Sequence, residues 1–116
     1  MKWLKGGKTV LYAPDQDYGL SKSITVNFFG YPSATISAPF KLINATGCKP
    51  YFVNSYYDEN SLILDIQEIN FECDDEHRFM QALNDYVEQK VRAYPHEYLW
   101  QHRRFKSTLG KTKLYK

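Results

Sequence analysis

Cysteine is scarce in this chain. Cys48 and Cys73 are the only two among 116 residues, too few and too far apart for a disulfide framework or a zinc site, and they read as reduced, packed thiols. No apolar run approaches the ~20 residues that a bilayer-spanning helix needs. The opening "MKWLKGGKTV" carries charge and glycine where a signal peptide has its apolar stretch. Glycine-rich phosphate loops are absent, as is a nucleophile elbow around any serine or cysteine. Internal repeats and low-complexity stretches are also missing. These absences point to a segment that is cytosolic or peripheral to a membrane, without a transmembrane segment, and give no reason to expect a cofactor or metal.

What is present suits one folded domain. The length is that of a single domain over 1–116, and 43% apolar residues supply a core. Aromatics reach 16%, ten of them tyrosine, a side chain suited to half-buried surfaces. The net charge of +2 says little, but its distribution is uneven. Between Asp58 and Glu97 eleven acids face three bases, whereas Tyr98 to Lys116 holds six bases and no acid. Such a basic end is either a solvated terminus or an arm for phosphates, nucleic acid or anionic membrane. Residues from about 107 to 116 read as a flexible basic tail.

Periodicity and punctuation outline an α/β order. "MKWLKGG" fits the last turn of a helix stopped by Gly6 and Gly7, and "KTVLYA" a short buried strand stopped by Pro14. "SKSITVNFFGYPSA" alternates at Ile24, Val26 and Phe28 before a Gly-Tyr-Pro turn. "SAPFKLINATG" fits a helix capped by Ser37 and stopped by Gly47, with Ile36, Phe40 and Ile43 on its apolar face. "CKPYFVNSYY" and "SLILDIQEI" form a hairpin through residues 58–60. "DDEHRFMQALNDYVEQKVRAYP" is the clearest helix, capped by Asp74 or Asp75 and closed by Pro95, with Phe79, Leu83, Tyr86, Val87 and the Lys90 stem on one side.

Two stretches carry candidate chemistry. In "YAPDQDYG", Asp15 and Asp17 stand at i and i+2, following an apolar run. They suit a solvated turn, a structural or substrate-positioning loop, or an acid–base pair; with no third ligand nearby they make a poor cation site. In "YLWQHRRFK", Arg103, Arg104 and Lys106 could hold phosphate or carboxylate groups, with Trp100, Tyr98 and Phe105 as anchors in a core or at a membrane interface. Alternatively the arginines turn inward to pair with Asp15 or Asp17; a split is expected, one arginine inward and Lys106 outward. His77 reads as exposed and His96 as a turn residue. His102, beside two arginines, reads as neutral, in either a packing or a catalytic role.

Four blocks, "YAPDQDYG", "VNFFGYPSAT", "KLINATGCKPYF" and "PHEYLWQHRRFK", in that order and spacing, resemble the bacterial lipid A biosynthesis acyltransferases of the late, lauroyl/myristoyl type. The resemblance covers nearly the whole chain, and its first and last blocks are the most specific. It implies the C-terminal portion of a glycerolipid-acyltransferase-like α/β fold, a mixed sheet with flanking helices. It implies transfer of a fatty acyl chain from acyl carrier protein to a lipid A precursor, at the cytoplasmic face of the bacterial inner membrane. Asp15, Gln16 and Asp17 would then line the active-site floor, and Arg103 and Arg104 would face the acidic lipid or steady the C-terminal end. Trp100, Phe105 and Lys106 would contact the membrane.

The chain departs from the family at one decisive point. The family signature is a histidine followed five positions later by an acid, the base that activates the acceptor hydroxyl and the group that orients it. Here the fifth residue after His77 is Ala82, after His96 Gln101 and after His102 Ser107. The family's N-terminal membrane-associated helix and first α/β segment have no counterpart either. The expectation is therefore a fragment that is inactive alone and prone to self-association. Two other readings stand beside it: a non-catalytic module that binds anionic lipid or nucleic acid, and, more weakly, a hydrolase or metal enzyme built on Asp15 and Asp17. On the family reading nucleic acid is not a partner.

Overall fold

The computed structural model describes residues 1–71 and 74–110. In chain order the elements are α1 (Lys2–Lys5), β1 (Ser23–Phe28), β2 (Tyr31–Ile36), α2 (Ala38–Thr46), β3 (Tyr51–Asp58), β4 (Ser61–Glu68), α3 (Glu76–Ala93) and α4 (Lys106–Leu109). Single 3₁₀ turns lie at Leu20–Lys22 and Pro95–Glu97. The α/β class is the expected one. The strands stand as two separate antiparallel hairpins, β1–β2 and β3–β4, and no mixed sheet forms among the described residues.

α3 organises the rest. The Asp75 carboxylate accepts the Arg78 amide at 2.8 Å and so satisfies one of the amides left open in a first turn. From there Phe79, Leu83, Val87 and Val91 recur every four residues, with Met80 and Asn84 beside them, and all six are buried. This stripe meets Val26 and Phe28 of β1. Phe40 and Ile43 of α2 and Phe52 of β3 close the cluster from other sides.

Both hairpins turn on two residues. In the first, Phe28 pairs with Tyr31, and Phe29 and Gly30 take φ +50° and +78°, as a turn that matches strand twist requires. Phe29 is an unusual occupant of left-handed backbone. Its amide donates to Glu88 Oε2 at 2.7 Å, and its ring packs edge-on against Phe28 at 4.8 Å. In the second hairpin, Asp58 pairs with Ser61. There Phe52 and Tyr56 turn toward α3, reaching Tyr86 and Tyr94 with ring centroids 4.6 and 3.9 Å apart. A Lys90–Asp65 ion pair of 2.8 Å joins α3 to β4. The opposite face, with Tyr51, Val53, Tyr57, Leu62, Leu64 and Ile66, is exposed.

Several expectations from the sequence need correction. "KTVLYA" is neither a strand nor buried: residues 8–13 run as irregular chain, and Val10 and Leu11 are exposed. An apolar segment becomes a strand only where a neighbouring edge takes its backbone groups, and none of the described strands does so here. The turn after β1 lies at Phe29–Gly30, so Tyr31 and Pro32 begin β2. Ile36 closes β2 and does not join the face of α2. Gly7 at φ +72° ends α1, and Gly47 at φ +65° ends α2, both as expected. Cys48 is a half-buried free thiol, whereas Cys73 lies outside the described residues. The expected basic tail also falls mostly outside them, although its start, Ser107 to Leu109, belongs to α4.

Replacing Leu83 with Ala removes the middle of the α3 stripe and should cost about 2–5 kcal/mol. Leu64→Ala, on the exposed face, should change stability by no more than about 0.5 kcal/mol. Urea unfolding of both variants checks the contrast, and equal losses would contradict this placement of the core.

Candidate functional site

The "PDQDYG" loop is tied to the far end of the chain through Asp17, which is only 2% exposed. Asp17 Oδ1 accepts the Gly19 amide at 2.9 Å and the Ser107 hydroxyl at 2.6 Å, and Oδ2 accepts the Ser107 amide at 2.8 Å. Gly19 makes the first of these possible with φ +89°, a backbone state that suits glycine. The Asp17 amide in turn donates to His102 Nε2 at 2.8 Å. Burial alone pushes the Asp17 carboxyl up. The Ser107 hydroxyl and amide, the Gly19 amide and the charge of Lys106 outweigh it, and the carboxyl lies below its ordinary value.

Arg104 makes the second anchor, 3% exposed. Its guanidinium donates to the Ala34 carbonyl at 2.7 Å and the Thr35 hydroxyl at 2.6 Å, and sits 5.4 Å from the centre of the Phe28 ring. The Thr35 hydroxyl belongs to a polar seam inside the core. Asn84 Nδ2 on α3 lies within 3.3 Å of Thr35 Oγ1, Ser33 Oγ and the Asn27 carbonyl. Ser33 Oγ donates to the Val26 carbonyl at 2.9 Å. The expected split therefore falls with Arg104 inward and Lys106 outward, but these inward partners are a carbonyl and a hydroxyl of β2. The residue that holds Asp17 is Ser107.

Serine, histidine and aspartate thus meet at one point, although their wiring is not that of a hydrolytic triad. A triad needs the histidine between the other two, taking the serine proton at Nε2. Here His102 Nε2 is occupied by a backbone amide, which assigns the neutral Nδ1–H form, and the Ser107 hydroxyl donates straight to Asp17. With three of its four lone-pair directions filled, Asp17 is a poor proton acceptor. Its role in this arrangement is to fix the loop.

The remaining expected site residues separate into two groups. Asp15 and Gln16 are half-buried in the turn. Asp15 lines a groove of about 840 Å³, and Asp17 is not among its lining residues. The groove is mainly apolar, with Val10, Tyr12, Leu42, Phe52, Leu83 and Val87 in its lining. Arg103 and Lys106 are exposed, as is Trp100, whose ring nitrogen donates to the Pro95 carbonyl at 2.6 Å. Phe105 is half-buried against Phe28 and Tyr31, with centroids 6.2 and 6.0 Å apart. Among the described residues no group of three or more acids, histidines and cysteines converges as a metal site would need. Ser107, Thr35 and Asn84 were not singled out from the sequence, where nothing marks a lone serine, threonine or asparagine as buried.

Two substitutions test the anchors. Asp17→Asn should lower stability at pH 7 by roughly 1–3 kcal/mol, because donors are left poorly met. A carboxyl lowered in the folded state gives its full contribution above the unfolded value of about 3.9 and loses it as pH falls through the folded value. The gap between wild type and Asp17→Asn in urea unfolding should therefore shrink from pH 7 to pH 3, and a constant gap would refute the assignment. Arg104→Ala should cost at least ~2 kcal/mol, against about 0.5 kcal/mol or less for Lys106→Ala.

Comparison with known proteins adds the family. The chain matches the profile described as "Bacterial lipid A biosynthesis acyltransferase" over residues 1–107. It is 34% identical over 112 residues to the lipid A biosynthesis lauroyltransferase of Escherichia coli (strain K12), covering 92% of this chain and 37% of that protein. To the lipid A biosynthesis palmitoleoyltransferase of the same strain it is 32% identical over 118 residues, covering 97% and 38%. A Haemophilus influenzae lipid A biosynthesis acyltransferase is 29% identical over 113 residues, covering 92% and 36%. The chain thus spans less than two-fifths of the length of these relatives, and from a match that runs through both the Asp17 loop and the Arg104 segment it follows that it belongs to the bacterial lipid A biosynthesis acyltransferase family.

Proposed function

We propose that this chain forms part of an acyl-transfer site that moves a fatty acyl group from acyl carrier protein to a lipid A precursor, and that it does not turn over alone. The observation that carries this reading is the family match over residues 1–107. In the reaction an acceptor hydroxyl attacks the thioester carbonyl, the carbon–sulfur bond breaks, and the hydroxyl proton must be taken up. A positioned base contributes roughly 10²–10⁴-fold to such a step. None of His77, His96 and His102 is followed five residues later by an acid, and the nitrogen of His102 that could take a proton already accepts the Asp17 amide. The base must then come from outside these residues.

In this reading Asp15 and Gln16 border the reacting centre, while Asp17 and Arg104 keep the loop and the C-terminal segment in place. Trp100, Arg103 and Lys106 meet anionic lipid at the cytoplasmic face of the inner membrane, with Phe105 setting their height from below. No helix among the described residues is long and apolar enough to cross a membrane, so contact would be peripheral.

Purified chain given labelled acyl carrier protein and lipid A precursor should transfer no label above the blank. Transfer that is lost on changing Asp15 to Asn would overturn the proposal that it is inactive alone. Vesicles containing phosphatidylglycerol should bind the wild type more tightly than Arg103→Ala or Lys106→Ala, by about fivefold for each charge at low salt, following ~1 kcal/mol per cation. Binding indifferent to both changes and to salt would remove the lipid-facing role.

A further inference from the structure

Each hairpin leaves an outer strand edge that the rest of the described chain covers only in part. A strand in a two-stranded sheet has one row of amides and carbonyls outside the ladder, and these must find partners elsewhere. On β1 they find them in α3. The Asn27 amide donates to Gln81 Oε1 at 2.7 Å, and the Asn27 carbonyl accepts from Gln81 and Asn84 at 3.1 and 3.0 Å. The Phe29 amide, just past the strand, donates to Glu88 at 2.7 Å. Near the turn, that edge is closed by the side chains of a single helix.

β3 is closed only at one end. Its two-residue turn and the Ile69-to-Pro50 bond of 3.0 Å set the even-numbered residues inside the ladder. Tyr51, Val53, Ser55 and Tyr57 then point their backbone groups outward. The Tyr57 amide donates to Glu97 Oε1 at 3.1 Å. Tyr51, Val53 and Ser55 have no such bond among the described residues. Nearby, Asn54 Nδ2 is buried with no acceptor among the described residues, and it borders the same groove.

The groove of about 840 Å³ runs beside this open edge. Its lining takes in Tyr51 to Ser55 of β3, apolar residues of α2 and α3, and residues 7–15. Five residues of strand offer about 17 Å of edge, enough for one short strand to lie in the groove. Because that lining is mainly apolar, the strand that fits is apolar on both faces, as strands inside a covered sheet are.

We propose that the β3 edge receives an apolar β-strand from the portion of a lipid A acyltransferase domain that this chain does not span. The inference rests on the family reading above. The relatives of 34% and 32% identity carry 63% and 62% of their length outside the matched span, as follows from coverage of 37% and 38%. The exposed outer face of β3–β4, with Val53, Leu64 and Ile66, continues the same surface and would be covered by the structure bearing that strand. A second copy of this chain fits less well, because residues 7–15 of each copy would stand between the two β3 edges.

The test co-expresses the full chain with a separate polypeptide comprising the part of the Escherichia coli lauroyltransferase outside the aligned region. A 1:1 complex is expected by light scattering, with hydrogen exchange at the amides of Val53 and Ser55 slowed at least tenfold. Val53→Pro removes an outward amide and leaves the ladder intact, so it should weaken the complex at least tenfold. Glu68→Pro, a matched change of an outward amide on the β4 edge and outside the exposed apolar face, should leave it unchanged, with circular dichroism checking that both variants fold. If either variant does not fold, exchange at Val53 and Ser55 in the wild-type complex decides. Absence of a complex, a complex without protection at those amides, or a homodimer sensitive to Val53→Pro would each overturn the proposal. A protected complex that transfers no acyl group would leave the docking intact and count against the acyl-transfer reading instead.

Discussion

The position of the whole C-terminal segment depends on burying the Arg104 guanidinium against β2. A cation taken out of water is costly unless its donors are met, and the Ala34 carbonyl and Thr35 hydroxyl meet two of them. Those acceptors are presented only because β2 is paired to β1 in one register and Asn84 holds Thr35 from the helix side. Once Arg104 is seated, Phe105 falls on Phe28 and Tyr31, and Ser107 comes within reach of Asp17. The loop that carries Asp15 and Gln16 is thus shaped by a residue nearly ninety positions away, through a hairpin and a helix.

This dependence separates two kinds of residue in and beside the stretches "YAPDQDYG" and "PHEYLWQHRRFK". Asp17, Arg104 and Ser107 are consumed in holding one another's segments. Asp15 lines the groove, Gln16 is half-buried beside it in the turn, and Arg103 and Lys106 lie at the surface. A block can look catalytic in a sequence because its spacing is tight, when half of that spacing serves to fix a turn. The Asp17 carboxylate illustrates this: three donated hydrogen bonds make it a firm anchor and a poor base.

The sequence showed clearly what depends on local chemistry. Asp75, Pro95 and Gly47 marked helix ends because capping, ring closure and left-handed backbone are properties of a residue and its near neighbours. The α3 stripe was readable for the same reason, and so was the second hairpin. What could not be read was set by distant partners. "TVLYA" has the composition of a strand, but strand formation needs an edge to pair with. Phe29 in a left-handed turn is held by Glu88 across the fold. The inward turn of one arginine was foreseen, and its identity was not, since Arg103 and Arg104 differ only in which side of the chain faces β2. Ser33, Thr35 and Asn84 gave no sign of lying within the core, because a buried polar seam resembles surface composition until the strands are assembled.

The Asp17–Ser107 contact also has a consequence in time. It joins residues ninety positions apart, whereas each hairpin closes over two residues and α3 forms within itself. Hairpins form in roughly 1–10 μs, and a contact of such long range must wait until the intervening chain has collapsed. The loop at 14–19 and the segment at 104–109 are therefore assembled late, over a core that already exists. Opening of these two segments ahead of α3 would mark them as a low-stability cooperative unit. Hydrogen exchange at the Ser107 amide reads that opening separately from the core amides of α3. Asp15, which lines the groove, therefore stands on the part of the molecule that arrives last, whereas Leu83 and Val87 of the same lining belong to the core.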